Sequence, residues 1–402
     1  MKKTKTGPNA VGHNSVFSAV TTALFDMFSN KGQLDPLADN QRIDGKVCLV
    51  TGANSGLGKS VAIQLAKRGG HVIMACRSGI PDAGEDVKRL SGSDNVEMLS
   101  VDLSDLDSVS AFCNILRDRK IVIDIAIMNA GLMPLNSRRS AQGYELMFAV
   151  HFLANRLMLH RWCQDGVIKP GTSTINTPRV IFVSSEAHQS SEAINFSKFG
   201  EYIEFGIKDG LRHYGTSKLH LSTFANELSR RLNPECSDQY SVKMSDAQSE
   251  KNSGEKTNEP GHVNIAVHSL CPGPIASNIA RESPGFLKPI LNPIMSLFFN
   301  SPDKAAAPVM LLACEESMGK RTGVYLHMMR EKTCSEHASN SSNGEQLWES
   351  SQRLLAKYLD PEGKRSKGMG SEVGRSESES IEGTEGAQKR TAKQKTNLST
   401  SA

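Results

Sequence analysis

Short runs rich in β-branched residues alternate along this chain with longer helical patterns, and that alternation restricts the fold more than any other feature. Lys46 to Thr51 (KVCLVT), His71 to Cys76 (HVIMAC), Val96 to Val101, Ile121 to Met128, Arg179 to Ser184 and Val263 to Leu270 read as strands. Leu57 to Arg68, Asp105 to Arg119, Tyr144 to Gln164 and Tyr214 to Leu232 read as helices between them. Strands that are apolar on both faces and separated by helices belong in a parallel sheet covered on both sides. The pattern predicts an α/β fold with a doubly wound parallel sheet. A hydrophobic share of 38% with 33 glycines in 402 residues supports a proper core. It excludes wholesale disorder, collagen and coiled coil.

Three stretches fall outside this pattern. Residues 1–40 are polar and weakly patterned, 234–261 carry almost no large apolar side chain, and 361–402 hold only Val373 and Ile381 as interior aliphatics. None can bury enough surface to offset its ordering entropy. They are expected to be a loose N-terminal extension, a polar loop insertion and a disordered C-terminal tail around one domain at 41–360. Lys2, Lys3 and Lys5 give the first residues a faint targeting character, without the arginines of a transit peptide or the apolar stretch of a signal peptide. No run approaches the roughly 18 apolar residues of a membrane span. A cytoplasmic location is expected, with organelle targeting and peripheral membrane attachment as alternatives. Basic and acidic side chains, 47 against 43, are too balanced to imply a nucleic-acid partner. The eight cysteines are scattered without a CxxC pair, which predicts reduced thiols and no metal site.

The chemistry-bearing residues fall at strand ends. The first strand runs into Thr51-Gly52-Ala53-Asn54-Ser55-Gly56-Leu57-Gly58, where glycines allow a tight turn and close approach of backbone to a pyrophosphate. The second ends at Arg77, 19 residues beyond Gly58, where an NAD site would place Asp or Glu. A guanidinium there can pair with a 2′-phosphate. The third ends in Asp102-Leu103, whose carboxylate can accept from an adenine amino group. The fourth ends in Asn129-Ala130-Gly131, small enough for backbone to abut a ligand. Each feature alone is also what an ordinary loop looks like. The fifth strand ends in Ser184-Ser185, and Tyr214 and Lys218 follow, four apart on one helical face. An ammonium beside a phenol favours the phenolate and lowers a pKa that starts near ~10.

In this order the motifs resemble the short-chain dehydrogenase/reductase family, from about Asp44 to Tyr325. They are TGANSGLG at Thr51 to Gly58, Asp102-Leu103, NAG at Asn129 to Gly131, Ser185, Tyr214 with Lys218, and Pro272-Gly273-Pro274-Ile275. Met74 to Arg77 (MACR), YGTSK opening a helix, SPDKAAAP at Ser301 to Pro308 and Leu347-Trp348-Glu349 are similar to its retinol-dehydrogenase-like branch. The resemblance implies a single-domain, Rossmann-type sheet of about seven parallel strands that binds NADP(H). It implies that Gly52, Asn54, Ser55, Gly56, Leu57, Gly58, Arg77, Asp102, Leu103, Asn129, Ala130, Gly131, Pro272 and Gly273 bind the cofactor. Ser185 would hold a carbonyl or hydroxyl, Tyr214 would carry the proton, and Lys218 would lower the phenol's pKa and hold the nicotinamide ribose. Ile275 and Ser277 would sit near the carboxamide.

Two departures stand out. His151, in Val150-His151-Phe152-Leu153-Ala154, occupies the position where the family usually has the Asn of a proton relay. An imidazole there can itself titrate, which predicts a catalytic part for His151 and an added ionisation between about pH 6 and 7.5; the alternative is that His151 only packs and leaves the profile unaltered. The membrane-anchoring N-terminal helix of several retinol-active members is missing. The apolar segment Phe286 to Phe299 is a candidate lining for a lipophilic substrate, a membrane-surface contact, or a plain lid. The expected activity is NADP(H)-dependent hydride transfer on a carbonyl or alcohol small molecule, retinal-, steroid- or xenobiotic-like. The alternative is a non-catalytic cofactor-binding scaffold or sensor.

Overall fold

The computed structural model of the chain describes residues 32–171, 176–236, 262–273 and 301–359. Eight strands form one sheet in the order β3-β2-β1-β4-β5-β6-β7-β8. They are β1 (Val47–Thr51), β2 (His71–Cys76), β3 (Val96–Ser100), β4 (Ile125–Met128), β5 (Arg179–Val183), β6 (Ala266–Cys271), β7 (Tyr325–His327) and β8 (Arg330–Lys332). Strands β1 to β7 pair in parallel, as the apolar runs require. The eighth is an antiparallel edge added by a tight hairpin through Met328. Its three residues are too few to show a pattern in sequence. The order reverses between β1 and β4, which opens the ligand crevice beyond the strands' carboxyl ends.

Both faces of the sheet are covered. Helices Leu106–Asp118, Ala154–Gln164 and Gly210–Leu232 bury Phe112, Trp162, Leu157 and Phe224 against one face. Helices Gly56–Lys67 and Pro302–Cys314 bury Val61, Leu65, Val309 and Leu312 against the other. The two helices of this second layer are tied by the Ser60 hydroxyl, which donates to Asp303 at 2.5 Å. Trp348, on helix Ser341–Leu354, has the guanidinium of Arg156 3.7 Å and that of Arg231 4.4 Å from its ring centre. These cation–π contacts clamp that helix onto both Ala154–Gln164 and Gly210–Leu232.

Several expected boundaries move for local reasons. The strand expected from Val263 starts at Ala266, because Asn233 Oδ1 accepts from the backbone N–H groups of Asn264 and Ile265. The fourth strand starts at Ile125, after Ile123 has donated its N–H to Val167. The helix expected over Tyr144 to Gln164 is interrupted by a π-helical turn at Ala149–Leu153, and the Tyr214 helix starts four residues earlier than expected. The end of the expected loose extension is docked: Leu34 donates to the Met329 carbonyl, and Leu37 is buried in the core. Residues 1–31, 237–261 and 360–402, and with them most of the expected extension, insertion and tail, lie outside the described residues. So do Ile275, Ser277 and the apolar segment from Phe286 to Phe299. Among the described residues no helix is long and apolar enough to cross a membrane.

Candidate active site

The sheet brings those expected residues that are described to one rim. Beyond β1 the chain turns into helix Gly56–Lys67, whose first turn carries no acid and whose N-cap, Ser55, makes no side-chain cap bond. Its leading N–H groups are therefore left to an anionic ligand. A Cβ at Gly58 would meet Asn129 Nδ2 and the Gly52 carbonyl oxygen, each at 2.5 Å, so only glycine lets the turn close. Thr51 Oγ1 accepts from the backbone N–H groups of Asn129 and Ala130 at 3.0 Å each, and Asn129 Nδ2 donates to the Thr51 carbonyl at 2.9 Å. These bonds fasten the β1 and β4 loops together. Asn54 Nδ2 reaches the Ser78 hydroxyl at 3.4 Å. Leu57 and Leu103 bury their side chains in the core, so only their backbone can meet a ligand.

At the ends of β2 and β3, Arg77 and Asp102 stand together, with 3.8 Å between Nη1 and Oδ2. Asp102 Oδ1 accepts from Ser104 Oγ at 2.6 Å and from Ser104 N–H at 2.9 Å, which fixes the carboxylate. The Arg77 side chain stays 67% exposed. A pair so loose and wet leaves the guanidinium able to turn to a phosphate.

Beyond β5, Ser185 caps the turn Glu186–Ser190, and its side chain bears on the Tyr214 phenol. His188 Nδ1 holds the Ser185 carbonyl at 2.7 Å, while its Nε2 accepts from Ser335 N–H at 3.3 Å. A Cβ at Gly215 would stand 2.7 Å from Ser191 Oγ and 2.9 Å from the Ala187 carbonyl oxygen. The glycine lets this turn press onto the helix, which carries Ser185 to Tyr214. Lys218 Nζ is buried, donates to the Val183 carbonyl at 2.9 Å, and lies 5.7 Å from the centre of the Tyr214 ring.

Burial dominates the electrostatics of this pair. Burial pushes the Tyr214 phenol up to about 12, with Cys271 adding to the rise and Ser185 opposing it. Burial also brings Lys218 down to about 8, against a smaller opposing effect of Cys271. Desolvation dominates both groups, and Lys218 is not among the side chains that shift the phenol.

His151 is held in a buried hydrogen-bond network. Its Nε2 accepts from Leu132 N–H at 3.0 Å, so Nδ1 carries the proton and faces Ser217 Oγ at 2.9 Å. Ser217 in turn donates to the Tyr214 carbonyl at 2.7 Å. Burial, then the charge of Lys218, holds the imidazole well below its ordinary pKa. Both ring nitrogens are engaged, and through Ser217 the ring is linked to the Tyr214 backbone carbonyl. The π-helical turn around it closes with Ala154 N–H donating to the Ala149 carbonyl, and Asn155 Nδ2 donates to the His151 carbonyl at 2.7 Å. Such turns recur at functional sites. A Cβ at Gly131 would stand 3.3 Å from His151 Nε2 and 3.6 Å from Lys218 Nζ, so the β4 loop abuts both.

Sequence reasoning did not find Ser217, His188 or a cluster of Glu186, Cys271 and His327 near the same rim. No motif spacing joins these residues; only strand register does.

Residues 46–196 match the short chain dehydrogenase family. Retinol dehydrogenase 13 of Mus musculus is 30% identical over 325 residues, covering 78% of this chain and 84% of that protein. The chain belongs to the short-chain dehydrogenase/reductase family. Within it the chain falls in the retinol-dehydrogenase-like branch. Dehydrogenase/reductase SDR family member 13 of Bos taurus is 28% identical over 333 residues, covering 82% of this chain and 78% of its own. A crystal structure of an uncharacterised protein from Mycobacterium paratuberculosis shares the fold, with a TM-score of 0.55 at 23% identity over 80% of this chain and 98% of that one. As a family member the chain is an NAD(P)(H)-binding oxidoreductase that transfers hydride between the cofactor and a small-molecule CH–OH or C=O group.

Proposed function

We propose that this short-chain dehydrogenase/reductase uses NADP(H) to interconvert a lipophilic carbonyl compound and its alcohol, with Tyr214 as the proton carrier. The observation that carries the reading is the meeting of Ser185, Tyr214 and Lys218 at the rim where the glycine loop also opens. When bound, the nicotinamide cofactor supplies or accepts the hydride. The residues around it do the rest. Gly52 to Gly58 receive the pyrophosphate on backbone N–H groups, and Asn129, Ala130 and Gly131 leave room for the ribose side. Arg77 takes the 2′-phosphate, with Asp102 and the Leu103 backbone at the adenine. Ser185 donates to the substrate oxygen, and Tyr214 Oη gives it a proton in reduction or removes one in oxidation. Lys218 holds the ribose and, once drawn from the Val183 carbonyl, faces the phenol more closely. His151 acts as a positioning residue through Ser217. Pro272 and Gly273 close the nicotinamide side, and the proposal extends to Ile275 and Ser277 beyond them.

The catalytic domain is taken as 41–360, with appendages on either side, in a cytoplasmic protein. Retinol is named for the relatives; for this chain the proposed class is broader, a retinal-, steroid- or xenobiotic-like carbonyl. The non-catalytic alternative draws support from the Tyr214 phenol, held near 12 and not activated by Lys218. Turnover of lipophilic aldehydes, ketones and quinones with NADPH separates the two readings; no turnover with any class leaves the scaffold. Dissociation constants settle the cofactor. NADPH should bind more tightly than NADH by about 1–3 kcal/mol, and Arg77→Glu should erase or invert the preference. Equal constants in the unaltered protein refute the assignment of Arg77.

A further inference from the structure

Three side chains that the proposed reaction does not use converge where β5, β6 and β7 end. Cys271 closes β6 and His327 closes β7, and the parallel register sets the two side by side. Glu186, in the turn after β5, reaches across so that Oε2 stands 2.6 Å from His327 Nδ1. One donor atom from each of the three side chains lies within 4.8 Å of the others. Cys271 and His327 are buried and Glu186 is nearly so, with 19% of its side chain exposed. A fourth group bears on the cluster from β8. Lys332 Nζ is 3.0 Å from His327 Nδ1 and 3.9 Å from Glu186 Oε2.

We propose that Glu186, Cys271 and His327 form a binding site for a borderline-soft divalent ion of the zinc class. A thiolate, an imidazole and a carboxylate oxygen are the donors such ions take, whereas magnesium and calcium require oxygen alone. A simple carboxylate–imidazole pair has no use for a thiol beside it. Ligand bonds of about 2.0–2.3 Å put tetrahedral donors roughly 3.3–3.8 Å apart. The Nδ1–Oε2 contact therefore widens by about 1 Å, and the longest separation closes by a similar amount, within reach of side-chain rotation. On binding, the Cys271 thiol releases its proton to solvent and a metal–sulfur bond forms, with no change of oxidation state. Three protein ligands leave a fourth position for water. The Lys332 ammonium supplies positive charge at this cluster and must swing away, so it competes with the ion. Because Glu186 directly follows Ser185, and Cys271 interacts electrostatically with Tyr214 and Lys218, an ion here would join the active-site ends of three strands.

Cobalt(II) titrated into the full chain is the probe, since a cobalt–thiolate bond has a charge-transfer absorption, and zinc then displaces it. One equivalent of that band is expected, removed by Cys271→Ser. Glu186→Gln should weaken cobalt binding at least tenfold, the scale on which even outer-shell partners count. Lys332→Gln should instead tighten it severalfold. No band overturns the site, and so does an undiminished band in Cys271→Ser, which would assign binding to other thiols. If Cys271→Ser fails to fold, the opposed shifts of Glu186→Gln and Lys332→Gln decide, and parallel or absent shifts refute the proposal.

Discussion

Around the ends of β1 to β4 the rim is made of glycines, small side chains and backbone groups, with the exposed Arg77 and the half-buried Asp102 at its margin. Around the ends of β5 to β7 it is crowded with buried ionisable side chains: Lys218, His151, His188, Cys271 and His327. The first region recognises by leaving room and backbone donors free, which costs the fold little. The second keeps polar groups in a place where every one needs a partner. Bringing Lys218 from 10.5 down to about 8 marks a desolvation cost on the order of 3 kcal/mol. One rim thus joins a half built of glycines and backbone groups to a half of desolvated ionisable side chains, and the two should fail in different ways.

The largest effect is expected at the phenol. Tyr214→Phe should lower kcat by about 10²–10⁴, the usual scale of general acid–base catalysis, while cofactor dissociation constants stay nearly unchanged. Steady-state rates with fluorescence titration of NADPH check this. Activity retained above a few per cent would remove Tyr214 as proton carrier and dissolve the distinction between the halves.

Two glycine substitutions test the same division from opposite sides. Gly58→Ala should weaken cofactor binding and destabilise the fold by roughly 1–3 kcal/mol, because its methyl meets Asn129 and the Gly52 carbonyl at 2.5 Å. Gly215→Ala should push the Glu186–Ser190 turn off the helix and separate Ser185 from Tyr214. Its kcat should fall by about 10²-fold, the scale of a 1 Å misplacement, with cofactor affinity largely kept. If both variants show the same pattern in melting temperature, affinity and kcat, the halves are not separable.

A smaller effect follows from pH. Lys218 loses its proton as pH rises through about 8, so cofactor affinity should decline above that point. Stability moves the other way. The unfolded chain keeps this proton to about 10.5 and the folded one does not, so this group's penalty is full below pH 8 and fades between 8 and 10.5. Titration of NADPH affinity and chemical denaturation across that window, each repeated with Lys218→Met, isolates both slopes; slopes that survive the substitution belong to another group.

The smallest effect is expected at His151. With both ring nitrogens engaged and the ring neutral, His151→Asn should change kcat only a few-fold and add or remove no ionisation between about pH 6 and 7.5. A lost inflection in the variant's pH–rate profile would restore the imidazole as a proton relay and make the reactive half larger by one residue.

Much of this was legible before any coordinates. Apolar strands and intervening helices specified the parallel sheet, because each element's periodicity is local to a few residues. The glycine loop, Arg77, Asp102 and Asn129 to Gly131 were legible for a related reason: in a parallel sheet a strand's carboxyl end is a predictable place. The pairing of Tyr214 with Lys218 followed from helical spacing alone. Their electrostatics did not, since a pKa is set by what the whole fold excludes from water. The partners of His151 were hidden as well; Leu132 and Ser217 lie 19 and 66 residues away, and only the packed helices bring them within 3.0 Å. The eighth strand, the Asn233 bonds that shorten β6, and the Glu186–Cys271–His327 cluster have the same origin. Local sequence determined which elements form and where their ends face, because those follow from short-range sterics and burial. Tertiary structure alone decided which side chains meet at those ends, because register across β5, β6 and β7 joins residues that no spacing rule connects.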